Sequence, residues 1–160
     1  MTAFSDTLSG GSQMIQGEAL KHALARTAAA FRLVDIYVFG SRAKEIAHRL
    51  SAEAASKPPF VPESDVDIAV RPRFGVALNP RERVDVTIAL EDLLEVSRVD
   101  LVVLPEADPF LALDVIRGEL LYTADPDDQA RYELFVLRRA GDLMPWKKER
   151  MRMILEEGAR

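Results

Sequence analysis

Val34-Asp35-Ile36-Tyr37-Val38-Phe39-Gly40-Ser41-Arg42 and, further on, Ser64-Asp65-Val66-Asp67-Ile68-Ala69-Val70 are the two segments whose reading decides the fold. The first is a largely apolar run that ends at Gly-Ser, where a helix is expected to begin. The second is a strand, predicted over residues 66–70, with two aspartates two residues apart. Side chains alternate faces along a strand, so Asp65 and Asp67 project to one side, roughly 6.5 to 7 Å apart along the backbone. Carboxylates so spaced can share divalent cations, because hard ions such as Mg²⁺ take oxygen ligands and complete their shell with phosphates and water. Gly40 lets backbone approach a ligand closely. A helix starting near Ser41 would turn its unpaired N–H groups and positive dipole end toward phosphate oxygens. Ser41 can cap that helix or bond a phosphate, and Arg42 adds a permanent positive charge.

Each piece has a plainer reading. Gly-Ser after a strand also serves as an ordinary turn and helix cap. The aspartates could mark a solvated strand start, although Asp is depleted within strands. It is the combination and order that point to a triphosphate and its metal ions.

At these residues the chain resembles the DNA polymerase β-like nucleotidyltransferase superfamily, marked by Gly-Ser, a short helix and Asp-x-Asp on the next strand. It is most similar to the minimal, MNT-type members that act as antitoxins to HEPN-domain toxins. The likeness runs roughly from Ala19 to Tyr122, with 23 residues between Ser41 and Asp65, more than the family pattern has, and with Glu45 near the place of a family glycine. The resemblance implies an α/β (α+β) fold, a small mixed sheet with helices packed on it. It also implies a third carboxylate on the strand after the next helix, which Val99-Asp100-Leu101-Val102 supplies. Asp65, Asp67 and Asp100 would then be the catalytic, metal-binding set for Mg²⁺, two ions in all. Asp100 would also help deprotonate the attacking hydroxyl, and Gly40, Ser41 and Arg42 would bind the nucleotide. The implied reaction is transfer of AMP from ATP to a hydroxyl of a HEPN-domain toxin. Two alternatives stay open: a small-molecule, aminoglycoside-type transferase, and an antitoxin that works by binding alone.

Composition sets the outer bounds. With 160 residues, 48% of them hydrophobic, the chain can bury a core of its own and is expected to form one domain. No run of about 18 apolar residues suggests a membrane span, and the N-terminus does not read as a signal peptide, so a cytoplasmic protein is expected. There is no cysteine for a disulfide or a thiolate metal site. The net charge of −5 argues against a broad nucleic-acid footprint. That charge is uneven: residues 131–160 hold eight Lys or Arg against five Asp or Glu, a balance of +3, leaving −8 on the first 130. A basic tail beside an acidic body suggests a protein partner or self-association.

The remaining elements follow from periodicity and capping. Residues 1–17 read as a flexible N-terminus, 18–125 as the nucleotidyltransferase domain and 126–160 as its C-terminal helical segment. Leu20, Leu24, Ala28 and Phe31 predict a helix over 18–32, and Ile46 with Leu50 extends the helix after Ser41 to about Ala55. Three prolines between Ser56 and Pro62 end it in an insertion loop at the mouth of the site. Asn79-Pro80 starts a helix carrying Val86, Leu90 and Leu93. The same stretch also alternates as a strand would, and that reading makes Asp85 a reserve carboxylate. Residues 99–104 read as a strand, Asp108-Pro109 as a helix start, and 120–122 as a short strand. Residues 127–157 read as mainly helical, with a break near Gly141 to Pro145. His22 and His48 read as surface histidines. Trp146, Met144, Met151 and Met153 among Lys147, Lys148, Arg150 and Arg152 read as ordinary packing with a solvated face. The alternative is a docking surface for the toxin, in which a buried aromatic would anchor the contact.

Overall fold

The computed structural model describes residues 7–51 and 65–158. The expected insertion loop around Ser56 to Pro62 lies outside the described residues. The elements are α1 (Thr7–Ala30), β1 (Leu33–Phe39), α2 (Ala43–Leu50), β2 (Val66–Pro72), α3 (Pro80–Leu94), β3 (Val99–Val103), a 3₁₀ turn (Leu104–Glu106), α4 (Pro109–Ile116), β4 (Glu119–Thr123) and α5 (Pro126–Glu157). The four strands form one mixed sheet in the order β3-β2-β1-β4. β1 runs antiparallel to β2 and β4, and β2 runs parallel to β3.

Strand alternation divides the molecule into two layers. Ile36, Val38, Val66, Ile68, Val70, Val99 and Val103 point to one face and pack with Leu24 and Ala28 of α1, Ile46 and Leu50 of α2, and Val86, Leu90 and Leu94 of α3. Tyr37 and Ala69 point to the other, where Ala112, Leu113 and Val115 of α4 and Val136 and Ala140 of α5 cover them. The sheet is therefore buried on both sides along its middle, as its near-continuous apolar strands require.

Helix 80–94 wins over the strand reading because its start is built twice over. The Asn79 side chain accepts from Glu82 N and the Glu82 side chain accepts from Asn79 N, both at 2.9 Å, with Pro80 in the first turn. Such a capping box satisfies two otherwise orphaned donors, which no strand start offers. α1 begins at Thr7 rather than Glu18, running through a Gly-Gly-Ser stretch that intrinsic propensity disfavours. The break expected near Gly141 to Pro145 does not occur, and α5 continues through Pro145 to Glu157. A helical proline removes one intrahelical hydrogen bond and crowds the carbonyl four residues back, here that of Gly141, yet the helix runs on. Nor do the final turns pack as expected: Trp146 is 75% exposed, and Met151, Met153, Ile154 and Leu155 are exposed with it.

The first turns of α5 are held by a polar network. Asp35 on β1 is fully buried, and Arg71, its cross-strand partner on β2, donates to it at 2.5 Å. The same guanidinium donates to Asp128 at 2.7 Å and lies 4.6 Å from the Tyr132 ring centroid. Beside it, Gln129 donates to the Tyr37 hydroxyl at 2.9 Å, and that hydroxyl donates to Glu133 at 3.2 Å. Asp35 Oδ1 has no hydrogen-bond partner among the described residues, so the Asp35 charge depends on Arg71. Arg71→Met should therefore cost about 3 kcal/mol or more in a urea melt, because it strands a buried carboxylate. The double variant Arg71→Met with Asp35→Leu should recover most of that loss.

Candidate functional site

The site is built where β1 ends and β2 and β3 begin. On β2, the row Asp67, Ala69, Arg71 stands on the α4 and α5 face, and Asp65, just before the strand, continues that row into solvent. Asp67 lies in register with Phe39 on one side and Asp100 on the other. Because β2 and β3 are parallel and in register, Asp100 and Val102 share that face, whereas Val99 and Val103 face the opposite layer. All three sequence-predicted carboxylates are thus brought to one end of one sheet face. Asp67 is half-buried, and Asp65 and Asp100 are exposed. Asp85 is not among them. It is exposed on α3, which packs on the opposite layer.

Gly40 closes the other side. Its φ is +75°, and a Cβ there would overlap Asp67 Oδ2, so only glycine lets the β1–α2 turn pass against this carboxylate. Ser41 is exposed immediately after it. It does not cap α2. The cap position is Arg42, which makes no side-chain cap hydrogen bond, and the first helical amide, Ala43 N, donates to the Gly40 carbonyl at 3.4 Å. Arg42 is not simply a charge offered to a ligand. Its guanidinium forks onto Glu45, with Nε and a terminal nitrogen donating at 2.7 and 3.0 Å.

Two residues without an expected role in the site matter here. Glu45 is buried, bonded by both Arg42 and Arg49, and Arg49 donates on to the Leu94 carbonyl at 3.0 Å. Where the family pattern has a glycine, this chain has a carboxylate that fastens α2 to the end of α3. Arg42 holds the Glu45 carboxyl below its ordinary range, outweighing burial. The second is Arg98, whose Nε lies 3.5 Å from Asp65 Oδ2 and whose terminal nitrogen donates to Asp100 Oδ1 at 3.2 Å. Arg98 stands two residues before Asp100, the spacing that puts both on one side of an extended segment, so its proximity was readable.

The donor set fits a hard divalent cation, being carboxylate oxygen throughout. Among the described residues no three such groups are yet gathered closely enough to hold an ion together, and the Arg98 guanidinium lies between two of them. Burial, followed by the charges of Asp100 and Asp65, pushes the Asp67 carboxyl above its usual range.

A mixed four-stranded sheet with carboxylates at one end of one face, beside a Gly-Ser turn and a helix start, has the arrangement of a nucleotidyltransferase-type α/β domain. The Polymerase beta, Nucleotidyltransferase family matches residues 20–127, more than half of the chain, and the protein belongs to that family. Among solved structures, a mutant MntA-HpeT toxin-antitoxin matches at 23% identity and a TM-score of 0.57, over 85% of this chain and 96% of the other. A toxin-antitoxin with AMP-PNP matches at 24% and 0.56, over 85% and 96%. The tri-AMPylated Shewanella oneidensis HEPN toxin in complex with MNT antitoxin matches at 22% and 0.56, over 88% and 97%. These likenesses establish a shared fold. No curated protein sequence matches the chain.

The raised Asp67 carboxyl has a consequence for stability. A group whose folded pKa is raised favours folding while protonated. That contribution is complete below the unfolded value of about 3.9 and is lost as pH rises through the folded value. At pH 7 the ionised Asp67 therefore costs stability. In metal-free buffer Asp67→Asn should raise Tm at pH 7 by about 1–3 °C, with the gain shrinking toward pH 3. Gly40→Ala, strained in conformation and overlapping Asp67, should lower Tm instead.

Proposed function

We propose that the protein is a metal-dependent nucleotidyltransferase that moves AMP from ATP onto a hydroxyl of a HEPN-domain toxin, acting as its antitoxin. The observation that carries this reading is the register of Asp67 against Asp100, with Asp65 on the same face and the Gly40 backbone against Asp67. The partner follows from the fold shared with the tri-AMPylated HEPN toxin and MNT antitoxin complex. ATP follows from the fold shared with the complex holding AMP-PNP.

In this reading Asp65, Asp67 and Asp100 would hold Mg²⁺, two ions in the full site, and bound metal would supply charge neutralisation for the transferring phosphate. Gly40 gives its backbone, and Ser41 its hydroxyl and the first N–H groups of α2, to the triphosphate. Arg42, forked onto Glu45, fixes that first turn, so its effect on the nucleotide runs through the position of the turn. The acceptor hydroxyl oxygen forms a bond to the α-phosphorus as the bond to the bridging oxygen breaks, and pyrophosphate leaves. The exposed Asp100 carboxylate takes the hydroxyl proton. Positioning and electrostatics carry the rate, because phosphoryl-type transfer asks little covalent chemistry of the protein.

The last turns of α5 supply the docking surface for the toxin. Trp146, Met151, Met153, Ile154 and Leu155 are exposed there among Lys148, Arg150 and Arg152. Trp, Met and Arg are the side chains enriched in interface cores. Lys147 is already engaged, its Nζ 3.9 Å from the Phe110 ring centroid.

Incubation with α-labelled ATP, Mg²⁺ and a co-expressed HEPN-domain toxin should label that toxin. Asp65→Ala or Asp67→Ala should lower labelling by about 100-fold or more, as expected when a metal ligand is lost. Intact labelling by either variant would remove these residues from the site. Neutralisation by unlabelled Asp67→Ala complexes would instead favour an antitoxin acting by contact. Separately, Trp146→Ala with Lys148→Glu should weaken co-purification with the toxin by at least tenfold, since a buried aromatic anchor is worth about 2 kcal/mol. Undiminished binding by this folded variant would place the interface elsewhere.

A further inference from the structure

We propose that Arg98 is an internal counterion for Asp65 and Asp100, a positioning residue that yields the carboxylates when a divalent cation arrives with a nucleoside triphosphate. The proposal rests on the metal-site reading given above and adds to it a coupling between metal and nucleotide.

Arg98 has the geometry of a stand-in. One guanidinium reaches both carboxylates, at 3.5 Å for Asp65 and 3.2 Å for Asp100, spanning the start of β2 and the start of β3. These are the oxygens that a hard cation would take, and a bound cation would repel the guanidinium that now approaches them. Cation and Arg98 therefore compete.

The backbone beneath Arg98 is fixed while the side chain is not. The Arg98 carbonyl accepts from Val66 N at 3.0 Å, and the next amide, Val99 N, donates to Glu91 Oε1 at 2.9 Å. These bonds tie the residue to β2 and α3. The Arg98 side chain, by contrast, is 64% exposed, and exposed ion pairs are weak and easily exchanged. It can swing away from the carboxylates without disturbing the strands.

What it swings toward decides the coupling. A free divalent ion offers Arg98 nothing in return for the lost carboxylates. A triphosphate brought with the ion offers several anionic oxygens beside the same strand ends, and arginine forks suit phosphate well. Metal and nucleotide thus assist each other through Arg98, and the metal alone is held off. By linkage the effect is reciprocal, so removing Arg98 should loosen nucleotide as well as tighten bare metal.

The test is titration of Mn²⁺ by electron paramagnetic resonance on the full chain, with and without a non-hydrolysable ATP analogue. It compares wild type, Arg98→Met, Arg98→Lys and Arg81→Met. Arg81 is an exposed cation in the first turn of α3, away from the site, so it controls for net charge. Without nucleotide, Arg98→Met should bind Mn²⁺ about three- to fivefold more tightly than wild type, the size expected when exposed ion pairs stop competing. Arg98→Lys should fall between the two, and Arg81→Met should match wild type. The analogue should tighten Mn²⁺ binding more in wild type than in Arg98→Met. Equal or weaker binding of bare Mn²⁺ by folded Arg98→Met, or equal tightening by the analogue in both chains, would overturn the role of Arg98 and leave the metal site standing. Failure of every chain to bind Mn²⁺ even with the analogue would overturn the metal site and this role together.

Discussion

The two-residue alternation of β2 is the constraint on which the rest depends. Asp67, Ala69 and Arg71 must share a face, with Asp65 continuing the row, and each position along it meets a different demand. At the open end the carboxylates face solvent and one another. In the middle, Ala69 is fully buried beneath α4 and α5. At the far end Arg71 is sandwiched between Asp35, Asp128 and the ring of Tyr132. A shift of one residue in the pairing of β2 would exchange this whole row for Val66, Ile68 and Val70. It would put aliphatic groups at the site and charges in the α1, α2 and α3 core. The chemistry and the packing therefore select the same register.

Charge is handled differently at the two ends. Arg71 and Asp35 are buried partners, and breaking such a pair is expensive because the survivor cannot reach water. Arg98 and its carboxylates are exposed partners, and such pairs exchange readily. One chain thus holds a buried ion pair where α5 is anchored and an exposed one at the carboxylate end of the sheet. Glu45 between Arg42 and Arg49 belongs to the first kind and sets α2 against α3.

Much of this was legible in the residues. Strand alternation placed Asp65 and Asp67 on one face, and the family resemblance carried by these residues and the Gly-Ser turn implied the sheet architecture and the third carboxylate, Asp100. Asn79-Pro80 with Glu82 held enough cap chemistry to choose helix over strand. What was not legible depended on contacts across the chain. Ser41 looked like a helix cap, but the turn closes one residue later, and Arg42 finds Glu45 instead of standing free. Nothing local shows that α5 runs on through Pro145, because proline by itself reads as a helix breaker. The apolar residues after Met144 looked like core because composition does not say where a helix leaves the body. Arg98 was readable from its spacing to Asp100, and was passed over because a charge before a strand is so ordinary.

Pro145 gives α5 a further property. Lacking an N–H, it leaves the Gly141 carbonyl without its intrahelical donor, and beyond this point the helix has scarcely any buried side chains to hold it. Local opening free energies track buried contacts, so the helix divides into two cooperative units at this step. Backbone amides around Val136 and Ala140, which are buried against α4 and the sheet, should exchange with solvent only when the domain itself unfolds. Those after Trp146 exchange by fraying of the isolated turns, and a bound partner would slow them selectively.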